Sequence, residues 1–508
     1  MWLAVLAFVV ALALLLYKLN DTYYVLCICK RVKTEDGSPL GNKVYELPGT
    51  TIFGNTFDFK DLTPAGLFKF VRDCNNRSQG KSVLSYYPVT PLYSIVKAED
   101  AVEFFQSTEL LQKPIFYQLL QDFLGDGLLL SSDRKWMHRR KMLTPAYHFN
   151  ILREFTTTFK EESIRLVKRL DSMPTDVVEV HEISKEFALN SIIETALGVK
   201  LDDITGSAEY RQTINQIEDI FLERIFNMLF YFNGLFRLFG KYEKYKRHLN
   251  IVHEFSNNII QKKKEEYRQK QKGATEDVDE FGKKNRYAML DTLLAEEAKG
   301  NIDHQGICDE VNTFMFEGFD TTSTCLAFTI MNLALHPEAQ AKCREEISNL
   351  GEFTSLTVMD FNKLMYLECV LKETLRLYPS VPFISRKCST ETRINGLILP
   401  ANSQIDVHIF DINRDPKHFP DPSAFKPERY FPENTVKRHP FASVAFSAGA
   451  RNCIGQKFAL LEMKVVMVSL LLNYEILPIT KVEDLNLEYG IILRTSEKIH
   501  VKLRKIAK

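Results

Sequence analysis

Residues 446–455 read Phe-Ser-Ala-Gly-Ala-Arg-Asn-Cys-Ile-Gly, which places Phe446, Gly449, Arg451, Cys453 and Gly455 at the spacing FxxGxRxCxG. Two glycines, with the small Ser447 and Ala448, let the backbone turn tightly and approach a flat ligand closely. Beyond Cys453 an apolar periodicity begins (Phe458, Leu461, Val465, Val468, Leu472), so a helix starts just after the cysteine. The amides of that helix start would point back at the sulfur and favour thiolate over thiol. A thiolate is a soft axial ligand that haem iron accepts. Arg451 would supply a forked, charge-assisted partner for a haem propionate. The competing reading is a glycine-rich turn around a buried core cysteine. Five fixed positions match by chance about once in several thousand chains, given ordinary residue usage, which favours the ligand reading.

Working outward, the loop is preceded by two further arginine motifs. The segment Lys372-Glu373-Thr374-Leu375-Arg376 puts Glu373 and Arg376 one helical turn apart, and Pro427-Glu428-Arg429-Tyr430 offers a second arginine. Apolar flanks (Leu371, Leu375, Leu377) predict a buried Glu373–Arg376–Arg429 network with a structural role, because such a network is costly to break. Pro379 and Pro382 enforce an extended run that ends at Arg386, another propionate candidate.

The span Asp309–His336 predicts the longest helix, stopped by Pro337. Its middle, Glu317-Gly318-Phe319-Asp320-Thr321-Thr322, is poor helix material. Thr321 can divert a backbone carbonyl and open room for a ligand. Asp320 and Thr321 form a candidate proton relay, carboxylate to hydroxyl to bound dioxygen. Upstream, Asp133–Lys141 predicts a short basic helix whose Trp136 and Arg140 share a face, an indole N–H and a guanidinium for one propionate. The alternative there is a solvated basic face with a half-buried tryptophan.

The loop resembles the haem-binding signature of the cytochrome P450 superfamily, and the other motifs stand in that family's order along nearly the whole chain. The stretch FMFEGFDTTS resembles family 4, the microsomal fatty-acid ω-hydroxylase group, in which a glutamate at the place of Glu317 esterifies a haem methyl. Members of that group commonly carry His where this chain has Phe319. The segment WMHRRKMLTPAYHF looks most like insect members. The resemblance implies a mainly α fold, about a dozen helices with small β-sheets, and haem b held between a long central helix and the loop of Cys453. It implies a monooxygenase that spends two electrons and dioxygen to put one oxygen into a C–H bond. Its substrate would be a fatty acid or related lipid attacked at the chain terminus. Xenobiotics, hormones or terpenoids are the alternative substrates, and a haem sensor without turnover is the alternative class. Two states stay open at Glu317, an ester to haem and an unlinked buried carboxyl.

No flavin or nucleotide fingerprint is present, so electrons come from a partner. Family analogy names NADPH–cytochrome P450 reductase, with cytochrome b5 as a further donor. The docking face expected for it is Lys135, Arg139 and Lys141 with Lys457 and Lys464.

Met1–Tyr17 is an unbroken apolar or aromatic run followed by Lys18, and Lys30, Arg31 and Lys33 come after it. At ~1.5 Å per residue the run reaches about 25 Å, the short limit for a span. With no basic stretch before it and no small-residue cleavage site after it, an uncleaved anchor is the expectation, and a cleaved signal peptide the rival. The flanking cations keep the following chain cytosolic, and the resemblance to a microsomal group implies the endoplasmic reticulum membrane. The organisation read from this is an anchor over 1–30, a Pro/Gly linker over 31–50 and one haem-thiolate monooxygenase domain over 51–508.

Lys plus Arg and Asp plus Glu are both 65 in 508 residues, so no global field for nucleic acid exists. Nine cysteines lack a paired spacing and predict reduced thiols in a cytosol-facing body. Short strands are expected over Ser82–Tyr87, Leu92–Val96, Ile394–Leu399, Ile405–Ile409 and Leu485–Leu493, and helix throughout 150–262. The polar run Gln261–Arg286 reads as a solvated helix end and loop.

Overall fold

The computed structural model describes residues 32–506 except 50–53, 56–57, 59, 62, 88–89, 201–203, 232 and 274–287. The expected anchor and most of the polar run after residue 273 lie outside the described residues. Among the described residues, no helix is long and apolar enough to cross a membrane.

The chain forms two compact units, the first from residues up to 114, 382–422 and 438–452, the second from 115–381, 423–437 and 453–508. The first carries a five-stranded mixed sheet in the order Tyr45–Glu46, Val83–Tyr87, Thr90–Ile95, Gln404–Val407, Ile384–Lys387. Leu84, Ile95, Ile405 and Val407 are fully buried in it, the inward set of a period-two pattern. Leu47-Pro48 is pinned beside this sheet by Asn55, whose amide donates to the Pro48 carbonyl at 3.1 Å and accepts the Tyr86 N–H at 3.0 Å.

The expected strand Ile394–Leu399 is instead a hairpin, Thr392–Ile394 against Leu397–Leu399. Asn395 and Gly396, both at positive φ, make the two-residue turn. Asn-Gly is the strongest short hairpin signal, and here it overrides the β propensity on either side. The following strand ends at Val407, and Ile409–Ile412 is a helical turn.

The second unit is largely helical. Its main helices are α1 (Asp133–Leu143), α2 (Phe149–Ser172), α3 (Val180–Ile192), α4 (Ser207–Phe226), α5 (Lys241–Gly273), α6 (His304–Leu335), α7 (Met365–Leu377) and α8 (Gln456–Asn473). A strand at Val177–Glu179 interrupts the helix expected throughout 150–262, pairing with His500–Lys505. The rank expected for α6 also fails by one residue, 32 against 33 in α5. Asp303 caps α6 by accepting the Gly306 N–H at 2.8 Å, and Pro337 opens the next helix, so the Pro stop holds. The expected strand over Leu485–Leu493 is a small hairpin, Leu487–Glu488 against Arg494–Thr495, with Gly490 in its loop.

Every residue of α6 from Asp309 to Ala334 is buried except Glu317, Gly318 and Thr321. That helix is the axis of the second unit. Phe328 on it stacks on Tyr378 at 4.2 Å, and α8 wedges Phe458 against Phe159 of α2 at 5.1 Å. The apolar positions expected after Cys453 are buried in α8, with Leu472 the exception at 38% exposed.

Candidate active site

Glu317, Gly318 and Thr321, the three accessible positions of α6 between Asp309 and Ala334, lie at i, i+1 and i+4, so they share one face. Gly318 is where α3 presses hardest, because a Cβ there would come within 2.8 Å of Ile192. Thr321 donates its hydroxyl to the Glu317 carbonyl at 2.6 Å, and its own carbonyl accepts from Ser380 at 2.7 Å. The expected weakening of the helix therefore takes the form of two diverted carbonyls, while the helix itself stays continuous.

Asp320 is buried at 1% exposure and turns away from Thr321. Its Oδ1 lies 3.0 Å from Lys185 Nζ on α3, and Lys185 also donates to Asn215 of α4 at 2.7 Å. Adjacent residues on a helix project about 100° apart, so the two members of the expected relay bond in different directions.

Cys453 precedes α8 and, of the seven described free cysteines, is the exposed one. Its thiol is reachable yet ringed by protein, and burial pushes it up to about 11, with the Glu317 carboxylate adding to the rise. The Gly455 N–H and the Arg140 guanidinium pull the other way and lose. Burial here opposes the helix start, so the expected thiolate goes with coordination of a metal ion.

Arg140 and Trp136 sit on α1, half-buried and buried respectively. Burial lowers Arg140 while Cys453 and Glu317 raise it, which puts all three within electrostatic reach of one another. Tyr147, just past α1, stacks on Phe314 at 5.6 Å and holds a buried hydroxyl with no hydrogen-bond partner. Burial raises it well above the usual tyrosine range, with Cys453 and Glu317 contributing. The second unit therefore brings together Cys453, Glu317, Arg140 and Tyr147, with Thr321 on the face of Glu317.

The remaining candidates belong to the first unit. Gly449 has φ +69°, and a Cβ on it would meet the Phe105 carbonyl at 1.9 Å, so only glycine fits this turn of the loop. Phe446 stands three residues before it, half-buried. Arg451 donates to the Leu111 carbonyl at 2.7 Å. Arg386 is 4% exposed, donates to the Ser385 carbonyl at 2.8 Å and lies over the Phe104 ring at 5.6 Å.

The predicted Glu373 network is present in full. Arg376 donates to both Glu373 oxygens at 2.7 and 2.8 Å and to the Ala424 carbonyl at 3.0 Å. Arg429 stands 3.3 Å from the same carboxylate, which also accepts the Lys426 N–H at 2.9 Å.

The basic docking face is corrected. Arg139 is buried at 7% exposure, and Lys464, at 3%, binds Glu368 at 2.7 Å and the Phe361 carbonyl. Lys135 is exposed but paired with Asp126 at 2.7 Å. Lys141 and Lys457 are exposed. Amphipathic spacing could not separate Arg139 from its neighbours, because a one-residue rotation of α1 exchanges the buried and solvated arginines. Lys185, Ser380 and Tyr147 gave no local signal. Glu310 gave one, an acid at heptad spacing before Glu317 on the same side of the predicted helix.

An exposed thiol with a half-buried guanidinium in electrostatic reach suits a metal complex that carries anionic groups. Comparison with known families agrees. The profile described as Cytochrome P450 matches residues 46–503. The chain belongs to the cytochrome P450 family and is a haem-dependent monooxygenase. It is 54% identical to probable cytochrome P450 4ac1 of Drosophila melanogaster, over 100% of both chains. It is also 54% identical to probable cytochrome P450 4ac3 of the same fly, over 99% of each, and 42% identical to its cytochrome P450 4p1, over 97% of this chain and 98% of that one.

Proposed function

We propose that this enzyme hydroxylates fatty acids or related long lipids at or near the chain terminus. The observation that carries the reading is the accessible face of α6, where Glu317 stands with Thr321 and within electrostatic reach of Cys453. When bound, haem supplies an iron centre that takes up two electrons and activates dioxygen toward a C–H bond.

In this reading the chain's own groups divide the work. Cys453 would hold the iron as thiolate. Trp136 and Arg140 would hold a propionate; in the first unit Arg386 and Arg451 are propionate candidates by the family resemblance, and Phe446 and Gly449 would shape their loop for a flat ring. Glu317 would stiffen the cofactor through an ester to a haem methyl, formed as the enzyme's own dioxygen chemistry oxidises that methyl and its C–H bond is lost, and the substrate would then be restricted to a narrow channel. Such a channel favours a chain end over the weaker internal C–H bonds. Thr321 presents its hydroxyl to the oxygen side and passes a proton. Asp320, on leaving Lys185, would take up a proton from solvent and pass it on, with a hydrogen-bonded water bridging the diverging directions of the two side chains. The Glu373 network stays structural.

Electrons come from NADPH through a membrane-bound reductase, with cytochrome b5 as a further donor. Met1–Tyr17 anchors the chain in the endoplasmic reticulum membrane with the catalytic body in the cytosol. Lys141 and Lys457 remain from the expected docking set as exposed cations for the reductase. The test is a mass-spectrometric product screen with purified reductase, NADPH and a mixed library of lipids, terpenoids, hormones and xenobiotics. Terminally hydroxylated fatty acids support the reading. Turnover confined to the other compounds would overturn it.

A further inference from the structure

Glu310 lies seven residues before Glu317 on α6, two turns along the same side, and is fully buried. One carboxylate oxygen accepts the Leu128 N–H at 3.0 Å. The other has no hydrogen-bond partner and stands 3.9 Å from Arg139 Nε. Arg139 is itself buried, and its Nη1 has no partner either. A buried carboxylate and a buried guanidinium, each incompletely satisfied, thus face each other across α6 and α1. The packing allows little slack. A Cβ on Gly306 would come within 2.4 Å of Arg139 Nη2, and one on Gly127 within 2.4 Å of Thr313 Oγ1. Gly306, Glu310 and Thr313 share one stripe of α6, so α1 and the segment before it press on that stripe together.

Arg139 neighbours Arg140 and lies one turn past Trp136. Whatever fixes the direction of Arg139 fixes the rotation of α1, and with it where those two side chains project. We propose that Glu310 is a positioning residue for the cofactor, holding Arg139 so that α1 presents Trp136 and Arg140 to the haem propionates. The inference rests on the reading that those two residues hold the propionates.

The contact also responds to pH. Burial pushes Glu310 up to about 7. The Leu128 N–H and Arg139 act against the rise, while Asp309 and Glu317 on its own helix add to it. Tyr147, from the segment after α1, feels Glu310 in turn. Below that pH the carboxyl is neutral and Arg139 is held by a dipole alone. Above it, the full ion pair forms.

The test is the haem reduction potential of the detergent-solubilised holoenzyme, titrated spectroelectrochemically from about pH 6 to about pH 8. The wild type is expected to show a fall in potential centred near neutrality, as a negative charge appears beside the propionate-binding helix. Glu310→Gln is expected to lose that step. Arg139→Gln, should the first variant fold poorly, is expected to move the step to higher pH, since the cation that favours ionisation is gone. An unchanged step in both variants would overturn the inference. Arg140→Leu separates it from the reading beneath: unchanged haem content and potential there would remove the propionate role itself, whatever Glu310 does.

Discussion

Replacing Arg376 by Met removes one of the two arginines around Glu373 and leaves a fully buried carboxylate behind. The donated bonds that vanish include two to the carboxylate and one to the Ala424 carbonyl. Hydrogen bonds to charged groups contribute about 1.5–3 kcal/mol each, and orphaning a buried ion costs about 3–5 kcal/mol. Arg429 and the Lys426 N–H still face Glu373, at 3.3 and 2.9 Å, so the lower end of that range, about 3 kcal/mol, is expected. At about 2.1 cal/mol/K per residue, a body of this size unfolds with an entropy on the order of 1 kcal/mol/K, so the melting temperature should fall by about 3 °C. Differential scanning fluorimetry of the holoenzyme reads this directly. Converting all three charged members to apolar residues (Glu373→Leu, Arg376→Met, Arg429→Met) should melt no lower than the single variant, because no unpaired charge remains. A single variant within about 1 °C of wild type, or a triple variant well below it, would refute the argument that the unpaired charge sets the cost.

Glu317→Ala should let acidic organic solvent extract all of the haem, whereas the wild type retains a covalently held fraction; complete extraction from the wild type rules out the ester. Thr321→Ala should divert reducing equivalents to peroxide, lowering product formed per NADPH consumed, and unchanged coupling would remove the hydroxyl from the relay. For stability against pH, Glu310 titrates at about 7 in the folded chain against an ordinary 4.5, so the native state binds the extra proton between those values. Stability should therefore fall as pH rises from about 4.5 to about 7 and then level, by about 3 kcal/mol at most at 1.36 kcal/mol per unit. Glu310→Gln should lose that component of the pH dependence, which melting scans across the same pH range measure.

The parts of the site that were legible in the sequence share one property: a residue type that is costly to place anywhere else, at a fixed short spacing. Most pairs of this spacing lie on surfaces, but the leucines around Glu373 and Arg376 pointed to a buried one, and the structure adds Arg429 as anticipated. The glycine at 449 and the break in burial at Glu317 and Thr321 follow from local steric rules in the same way. What escaped depended on partners far away in the chain. Asp320 is directed by Lys185, and Arg139 is drawn inward by Glu310, neither of which shares a helix with its partner. At Cys453 a local effect and a distributed one oppose each other. A helix start acts through one or two amides, whereas desolvation sums over everything packed around the thiol.

The bond from Cys453 to haem iron is tested most directly by the carbon monoxide difference spectrum of the reduced, purified protein. The wild type should show the red-shifted band of thiolate-ligated haem, and Cys453→Ala should lack it while remaining folded. A Cys453→Ala protein with that band intact would contradict the assignment of the ligand.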